Sequence, residues 1–333
     1  MESPKRTTIY DVAREAGVAA STVSRALRNP RRVNAATRAH VLQVAERMGY
    51  RPSPLATALQ SGRTATVAML VPDITNPHFF GTIKGAERRA SAAGITFILS
   101  YTEESADNER TQIEHLARSV DGFVLASSRM SDESLWELAE EHNLALVNRE
   151  VKGLPSAVVD SRVGSRQIVE HLASLGHRSL VYLSGPHQSW PAGERWRGLV
   201  DGARDLDMKV TRLGPFPPRV VGGGAAADAA LVTGATAVVA HNDLLAIGVL
   251  RRLAERGVGV PDQVSVVGYD DIFGADFCVP ALTTLAGPQD EAGRSAVELL
   301  LENRSRSTTR APDRRVMLPS HLLIRDSTGP AAR

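Results

Sequence analysis

The spacing of apolar residues changes character near residue 64. Before it, apolar positions recur at helical intervals. Thr8 and Asp11 make a capping-box signature ahead of Val12, Ala13 and Ala16, and Gly17 closes that short helix in a tight turn. After Gly17-Val18-Ala19-Ala20 a second start signal, Ser21-Thr22, precedes the stripe Val23, Ala26 and Leu27. Two short helices joined by a four-residue turn containing Gly form a helix-turn-helix, whose second helix can enter a DNA major groove. An ordinary helical hairpin with a polar outer face has the same pattern. Asn34 can cap a third helix carrying Val41, Val44, Ala45 and Met48, with Gly49 at its end. Tyr50-Arg51-Pro52-Ser53-Pro54 then reads as a linker, because each Pro holds the preceding residue extended. A helix-capable piece from Pro54 to Gln60 is under two turns long and marginal alone.

Beyond residue 64, short apolar runs alternate with amphipathic segments. Strands are expected at Ala65–Val71, Ile95–Ser100, Gly122–Ala126 and Ala145–Asn148, with helices at Gly81–Ala93, Asn108–Ser119 and Ser131–Glu141 between them. The pattern restarts with helix Gly164–Leu175, strand Ser179–Leu183, helix Gly193–Leu206 and strand Ala237–Ala240, then helix Asn242–Arg256 and strand Val264–Gly268. Two successive βαβ sets predict two parallel-sheet lobes. Ligands bind beyond the carboxyl ends of such strands, so two lobes can share one cleft. The expected class is an all-α helix-turn-helix headpiece with a hinge helix, followed by an α/β two-lobed domain. The divisions are 1–53 for the headpiece, 54–63 for the hinge, 64–326 for the two lobes and 327–333 for a loose tail. Lobe 1 takes about 64–160 and 290–318, and lobe 2 about 162–286 and 320–326.

Charge sharpens the picture. Eleven Lys/Arg against four Asp/Glu lie between Met1 and Arg63, giving +7, so the rest carries −5 of the total +2. A basic head on an acidic body suits a polyanion-binding domain attached to a different module. Cys278 is the only cysteine, which excludes internal disulfides and Cys-based zinc sites. No apolar run approaches the ~18 residues of a membrane span, and no signal-peptide core follows Lys5-Arg6, so a cytosolic protein without membrane contact is expected.

Position after a strand marks the candidate ligand residues: Asp73 through Phe80, Asn148-Arg149, Ser184–Arg195, Asn242-Asp243 and Asp270-Asp271. Polar donors and acceptors beside aromatic faces suit a hydroxyl-rich ligand, because each buried hydroxyl must find a partner. Phe79 and Trp190 offer such faces; the alternatives are a core position for Phe79 and a surface lid for Trp190. Asn242 can also cap its helix. Asp270 and Asp271, neighbours on an expected extended segment, diverge and make a poor acid/base dyad. Gly222 to Ala227 formally satisfies a dinucleotide-binding G-x-G-x-x-A, but it opens no N-terminal βαβ unit and reads as a run of small residues starting a helix. With no P-loop, nucleophile elbow or metal-ligand cluster, and nine scattered histidines, neither an enzyme nor a bound cofactor or metal is expected. A solute-capture protein for transport remains an alternative for the two-lobed body. The basic head and absent export signal weigh against it.

TIYDVAREAGVAASTVSRAL, the helix after Asn34 and YRPSPLATALQSGRT closely resemble the LacI/GalR family of bacterial transcription regulators. The similarity continues through VPDITNPHFF, VDGFVLA, HLASLGHRSLVYLSGP, AVVAHNDLLAIGVLRRL, VPDQVSVVGYDDI and PALTTL, in the family's order and spacing. The resemblance implies periplasmic-binding-protein-like lobes whose hinge strands cross near Asp160-Ser161 and Ala286–Gln289. It implies a regulator, most simply a repressor, that binds palindromic double-stranded operator DNA as a homodimer under control of a sugar-like effector. Phosphate-positioning roles carry to Thr8, Tyr10, Ser21, Thr22, Ser24 and Asn34, with Thr37 and Tyr50 beside them. Ala20, Ser21 and Arg25 fall where base edges are read. Arg25 suits bidentate pairing with guanine, whereas Ala20 can only touch a thymine methyl.

Leu59 is an apolar residue in a basic hinge with no core of its own. A pair of them can wedge between base steps in the minor groove; the alternative is packing against the body. Arg28, Arg31, Arg32 and Arg51 are expected phosphate neighbours. Effector roles carry to Asn76, Phe79, Arg149, Asn242 and Asp270, beside the positional candidates Asp73, His78, Asn148, Trp190 and Arg195. His78 departs from the common NPFF, Asn148 from Asp, Gly193 from a first Arg of the SWPAGERWRG loop, and Gly287 from a polar cleft residue. These changes weigh against a simple monosaccharide and leave a glycoside, an oligosaccharide or another metabolite open. With no heptad repeat after Arg325, a dimer is expected without a coiled-coil tetramer.

Overall fold

A computed structural model of the chain describes residues 7–28, 33–50, 63–304 and 314–332. The expected hinge helix and Leu59, together with Arg31, Arg32, Arg51 and the Arg28 side chain, lie outside the described residues. The chain divides into two units, at 1–64 and 65–333.

The first unit is a three-helix cluster. Helix α1 (Ile9–Glu15) starts from the expected reciprocal cap: Thr8 Oγ1 accepts from the Asp11 amide, and Asp11 accepts from the Thr8 amide at 3.0 Å. Gly17, at φ 63°, turns the chain, since a side chain there would be strained. Helix α2 (Ala20–Arg28) begins one residue before Ser21, with the Thr22 and Val23 amides donating to the Ala19 carbonyl. Asn34 caps α3 (Ala35–Arg47) by accepting from the Thr37 amide at 2.7 Å. Val12, Ala13, Ala16, Val23, Ala26, Val41, Val44 and Ala45 form the core. So many small side chains let the helices cross closely, and the Glu15–Arg47 pair ties α1 to α3 outside it.

The second unit holds two six-stranded sheets. In the first, β1 (Thr66–Val71), β2 (Thr96–Tyr101), β3 (Phe123–Ala126), β4 (Leu144–Val147), β5 (Ser156–Val159) and β11 (Arg315–Leu318) run in the order β11-β5-β4-β3-β1-β2, all parallel. Their helices are α4 (His78–Ala92), α5 (Ala106–Leu116), α6 (Asp132–Glu141) and α11 (Gln289–Arg304). In the second, β6 (Ser179–Leu183), β7 (Lys209–Leu213), β8 (Ala237–Ala240), β9 (Ser265–Tyr269), β10 (Thr283–Ala286) and β12 (His321–Leu323) run β12-β10-β9-β8-β6-β7. There β12 is antiparallel to β10, an exception to the expected all-parallel pattern. Helices α7 (Ser161–Ser174), α8 (Trp190–Asp205), α9 (Gly223–Val232) and α10 (Asp243–Glu255) cover this sheet. Continuous apolar runs at 0–1% exposure, such as Val67–Val71, are what strands buried on both faces require.

The chain crosses between the lobes three times: from β5 into α7, from β10 into α11 and from β11 into β12. The crossings are packed together, with Ser320 Oγ donating to the Asp160 carbonyl at 2.7 Å. A Cβ on Gly287 would lie 2.5 Å from Val159 Cγ1, so a larger residue at this crossing requires the Val159 side chain to shift. Gly222 to Ala227 spans a short 3-10 turn (Val220–Gly222) and the start of α9. A Cβ on Gly223 would meet the Gly248 backbone at 2.1 Å, so its small residues serve the close approach of α9 to α10. The segment after Asp326 is no loose tail. The Ser327 amide donates to the Ala281 carbonyl, its hydroxyl bridges the Thr283 amide and the Val266 carbonyl, and the Ala331 amide reaches Leu175. These bonds extend lobe 2 through the last described residues.

Candidate DNA-facing helix and interlobe cleft

On the headpiece, Thr8, Tyr10, Ser21, Arg25 and Asn34 are exposed, while Ala20, Thr22, Ser24, Thr37 and Tyr50 are half-buried. Tyr10 is 70% exposed although it begins an amphipathic helix. The Arg25 guanidinium folds back on its own helix, donating to the Ser21 carbonyl at 3.1 Å and to Ser21 Oγ at 3.2 Å. One helical face thus presents hydroxyls and a guanidinium over an apolar underside.

In the body, the strand ends of both lobes meet across a cleft floored by the crossings. From lobe 1 come Asn76, His78 and Phe79 at the start of α4, Glu104 after β2, Ser127 and Arg129 after β3, and Asn148 after β4. Lobe 2 supplies Trp190 and Arg195 of α8, His241 and Asn242 after β8, and Tyr269 and Asp270 at the end of β9. Among the described residues, eight non-glycine positions have positive φ. Six of them (Glu103, Glu104, Ser127, Asn148, Asp270 and Asp271) sit just beyond β2, β3, β4 and β9. Such backbone is costly and persists where surrounding structure imposes it. It also corrects one expectation: Asp270 at φ 108° and Asp271 at φ 49° are not on an extended segment. Their side chains still part, Asp270 toward Arg195 and Asp271 toward Arg325 at 2.7 Å.

The centre of the lobe 2 wall is Arg195. Its Nη2 lies 2.8 Å from Asp270 Oδ1, its Nη1 donates to the His241 carbonyl, and its Cζ sits 4.4 Å over the Tyr269 ring. Burial weakens the Arg195 cation, but Asp270, Tyr182 and Tyr269 more than restore it. Burial, with Arg195 and Arg129 nearby, pushes the His241 imidazole well below its usual range, and its Nδ1 lies 3.3 Å from Tyr182 Oη. Burial holds the Tyr182 phenol up at about 12. His78 crosses from lobe 1 to place Nδ1 3.3 Å from Asp270 Oδ1, close but without hydrogen-bond alignment. Its pKa is lowered by burial and by Arg195, against the pull of Asp270. Arg195 Nε likewise has no hydrogen-bond partner.

Asn242 has both expected duties partly filled by protein. Its Oδ1 caps α10 through the Leu245 amide, and its Nδ2 donates to the Pro218 carbonyl at 3.0 Å. Asn148 Nδ2 donates to Gln289 Oε1 at 3.3 Å and its Oδ1 accepts from the Val159 amide. Phe79 is 5% exposed and serves core and cleft together, whereas Phe80 is 52% exposed. The SWPAGERWRG stretch is a helix from Trp190, not a loop up to Gly193, because Ser189 caps it and Pro191 suits its first turn. That helix carries Arg195 inward.

Two expected ligand residues turn away from the cleft. Asp73 accepts from Thr75 at 2.6 Å and pairs with Arg219 of the opposite lobe at 2.9 Å. Burial raises its pKa, but the Thr75 and Arg219 bonds outweigh that and lower it. Arg149 is drawn to Asp132 and the Met130 carbonyl at the start of α6. In their place stand residues the sequence did not single out. Arg129 is buried beside Ser127 and bound through Nε to Glu104 at 2.7 Å; Gln289 and His241 complete the lining. Arg129 lies just past β3, so the same strand-end argument that found Asn148 reaches it.

The cleft holds two buried cations, Arg129 and Arg195, matched by Glu104 and Asp270. It therefore suits an uncharged, polar ligand. Among the described residues no His/Cys/Asp/Glu group is arranged to hold a metal, and no helix is long and apolar enough to cross a membrane.

Residues 8–53 match the bacterial regulatory proteins of the lacI family, and 169–328 match a periplasmic binding protein-like domain. The chain is 31% identical over 335 residues to the transcriptional regulator DegA of Bacillus subtilis, covering 98% of this chain and 99% of that one. The fold superposes on the Lac repressor dimer bound to operator and the anti-inducer ONPF with a TM-score of 0.85 at 25% identity, covering 98% of this chain and 100% of that one. A CelR–cellobiose complex gives a TM-score of 0.71 at 29% identity, covering 97% and 100%. The protein is a DNA-binding transcription regulator and not an enzyme, and the chain belongs to the lacI family.

Proposed function

We propose that this protein is a repressor that binds a two-fold symmetric operator as a homodimer and changes its grip when an uncharged, polyhydroxylated metabolite of sugar or glycoside type enters the cleft. The observation that carries the reading is the cleft, whose charges cancel internally while Asn76, Asn148, Asn242 and Gln289 offer amides around them. Amides and hydroxyls satisfy ligand hydroxyls without importing net charge. The solved relatives support it: one holds an operator and an anti-inducer, another cellobiose.

Recognition falls to the exposed face of α2. Arg25 leaves Ser21 to reach a base edge, Ser21, Thr22 and Ser24 meet phosphates, and Asn34 and Thr37 anchor the start of α3 beside Thr8, Tyr10 and Tyr50. Dimerisation is favoured by an apolar patch on lobe 2. Phe273 and Phe277 are 80% and 63% exposed, pack edge to face at 5.1 Å, and stand near Val279 at 93%. Large exposed apolar groups together mark an interaction surface. Lobe motion can reach DNA binding because the ligand's differential affinity for two lobe arrangements shifts their populations.

The test is gel retardation of the purified protein on DNA from upstream of its own gene. The expected result is a salt-sensitive shift on one palindrome, altered by members of a mono- and disaccharide panel. Binding to no duplex at low salt overturns the regulator reading, and indifference to every saccharide overturns the ligand class.

A further inference from the structure

Two histidines line the closed cleft, one from each lobe. His78 opens α4 of lobe 1, held by its amide's bond to Asn76 Oδ1 at 3.1 Å and by the edge-on Phe79 ring at 4.9 Å. His241 follows β8 of lobe 2. The cavity they share is about 50 Å³, which has room for only a few waters.

Charge in that cavity balances only while both histidines are neutral. Arg195 is paired with Asp270, and Arg129 with Glu104. Asp270 Oδ1 already accepts from Arg195 Nη2 at 2.8 Å. His78 Nδ1, 3.3 Å from the same oxygen, has no acceptor of its own and is buried without a hydrogen-bond partner. His241 Nδ1 lies 3.3 Å from Tyr182 Oη, and the cations Arg195, Arg129 and Arg212 bear on the ring from α8, from the end of β3 and from β7. Burial keeps Tyr182 and Tyr269 as neutral phenols. Glu109 and Asp243, raised by burial, do not line the cavity. Among the described lining residues the carboxylates are Glu104 and Asp270, so a proton on either imidazole adds a positive charge without a counter-ion.

We propose that acid opens this cleft: protons taken up by His78, and then by His241, drive the lobes apart, so the regulator reads pH through the same lobe equilibrium that its effector biases. Protons favour whichever arrangement binds them better. In the closed cleft, burial lowers the His78 pKa, Asp270 pulls it back up, and Arg195 lowers it again. Burial and the surrounding cations take His241 well below its usual range. Opening gives the rings to water, where the ordinary value is ~6.5. The closed arrangement is therefore favoured above about pH 6.5 and is lost as pH falls from there. Each proton taken up on opening changes the closed-to-open ratio by at most about tenfold per pH unit.

No effector enters this inference, so its failure leaves the proposed function standing. The test is the interlobe distance in full-length, ligand-free protein, measured by double electron–electron resonance between pH 7.5 and 5.5. Spin labels go on Glu133→Cys and Gln188→Cys, exposed positions beyond strand ends of opposite lobes, in a Cys278→Ser background. Labelled protein is diluted with unlabelled copies so that distances within one chain are read. The distance is expected to lengthen below about pH 6.5 while near-ultraviolet dichroism is retained. His78→Phe and His78→Gln are each expected to keep the fold and to reduce the change in the closed-to-open ratio by up to about tenfold per pH unit. A distance that does not respond to pH overturns the inference, as does an undiminished response in both variants. Loss of near-ultraviolet dichroism over the same range overturns it too, because acid then unfolds the lobes instead of parting them.

Discussion

The two walls of the cleft come from the same βα topology, yet they bury charge in different ways. In lobe 2, Arg195 is the hub of a connected network through Asp270, the His241 carbonyl and the Tyr269 ring. In lobe 1, each charge is tied locally: Arg129 to Glu104 and Ser127, Arg149 to Asp132, Asn148 to Gln289. Contact across the gap is made by His78 to Asp270 and by Asp73 to Arg219. Lobe 2 therefore keeps its network whether or not lobe 1 is near. Among the described residues, His78 and Asp73 are the lobe 1 side chains that opening of the cleft would release. The difference is that lobe 2 gathers its buried charge around one residue, whereas lobe 1 divides its own among separate pairs.

The largest expected effect follows from removing the hub. Arg195→Ala leaves Asp270 buried without its cation, and breaking a buried pair typically costs ~3–5 kcal/mol. Urea denaturation of the body should show a loss in that range. A loss below ~1 kcal/mol would mean that Asp270 is satisfied by His78, and the two walls would not differ as described. Lobe 1 depends instead on helix contact. A Cβ on Gly293 would sit 1.9 Å from the Thr82 carbonyl, so Gly293→Val must pry α11 from α4. Overpacking of this kind costs ~1–3 kcal/mol. Calorimetry should show a lowered body transition while the headpiece transition stays put.

Acid should act next. His78 and His241 have pKa values lowered by burial, so the unfolded chain takes up protons before the folded one. Their stabilisation is full above the unfolded value near 6.5 and is lost as pH falls from there toward the folded values. Buried Glu109 and Asp243, raised by burial, act in the opposite sense. The comparison is thus between wild type and His241→Gln: the variant's melting temperature should fall less from pH 7.5 to 5.5. Parallel curves would remove His241 from the account.

A smaller effect is expected in the headpiece, where Asn34→Ala deletes the cap of α3 and costs ~1 kcal/mol. Circular dichroism should show it in the three-helix unit alone. Least of all, Arg219→Ala removes a half-exposed partner of Asp73, and solvent holds such pairs to ~0.2–1 kcal/mol. If its cost matched that of Arg195→Ala, the rim and not the hub would be holding the lobes.

Legibility in the sequence followed locality. The caps at Thr8 and Asn34, the turn at Gly17 and the buried stripe of the headpiece depend on residues within a few positions of one another, and they stand where the pattern puts them. Strands Ser179–Leu183 and Ala237–Ala240 are where an unbroken apolar run places them. Helix α8 starts at Trp190, earlier than expected, because a Ser cap and a Pro outweigh an interior Gly193. The segment after Asp326 resembled a tail because Ser, Thr, Gly and Pro carry no periodicity. Its order comes from hydrogen bonds to residues more than 40 positions away.

The sequence by itself determined the class of each half, since alternation of apolar runs with amphipathic segments and the basic charge of the first 63 residues are properties of the chain in order. It also named Arg195, Asn242 and Asp270, because a strand's end is legible and strand ends face the cleft. Only the tertiary structure decided which polar residues face that space. Asp73 and Arg149 were captured by partners at other strand ends, Arg129 and Gln289 were brought in, and His78 was set against Asp270 from the opposite lobe. A buried charge goes to whichever partner geometry brings within hydrogen-bond reach. That distance is fixed by how two sheets and three crossings pack, which no local pattern encodes.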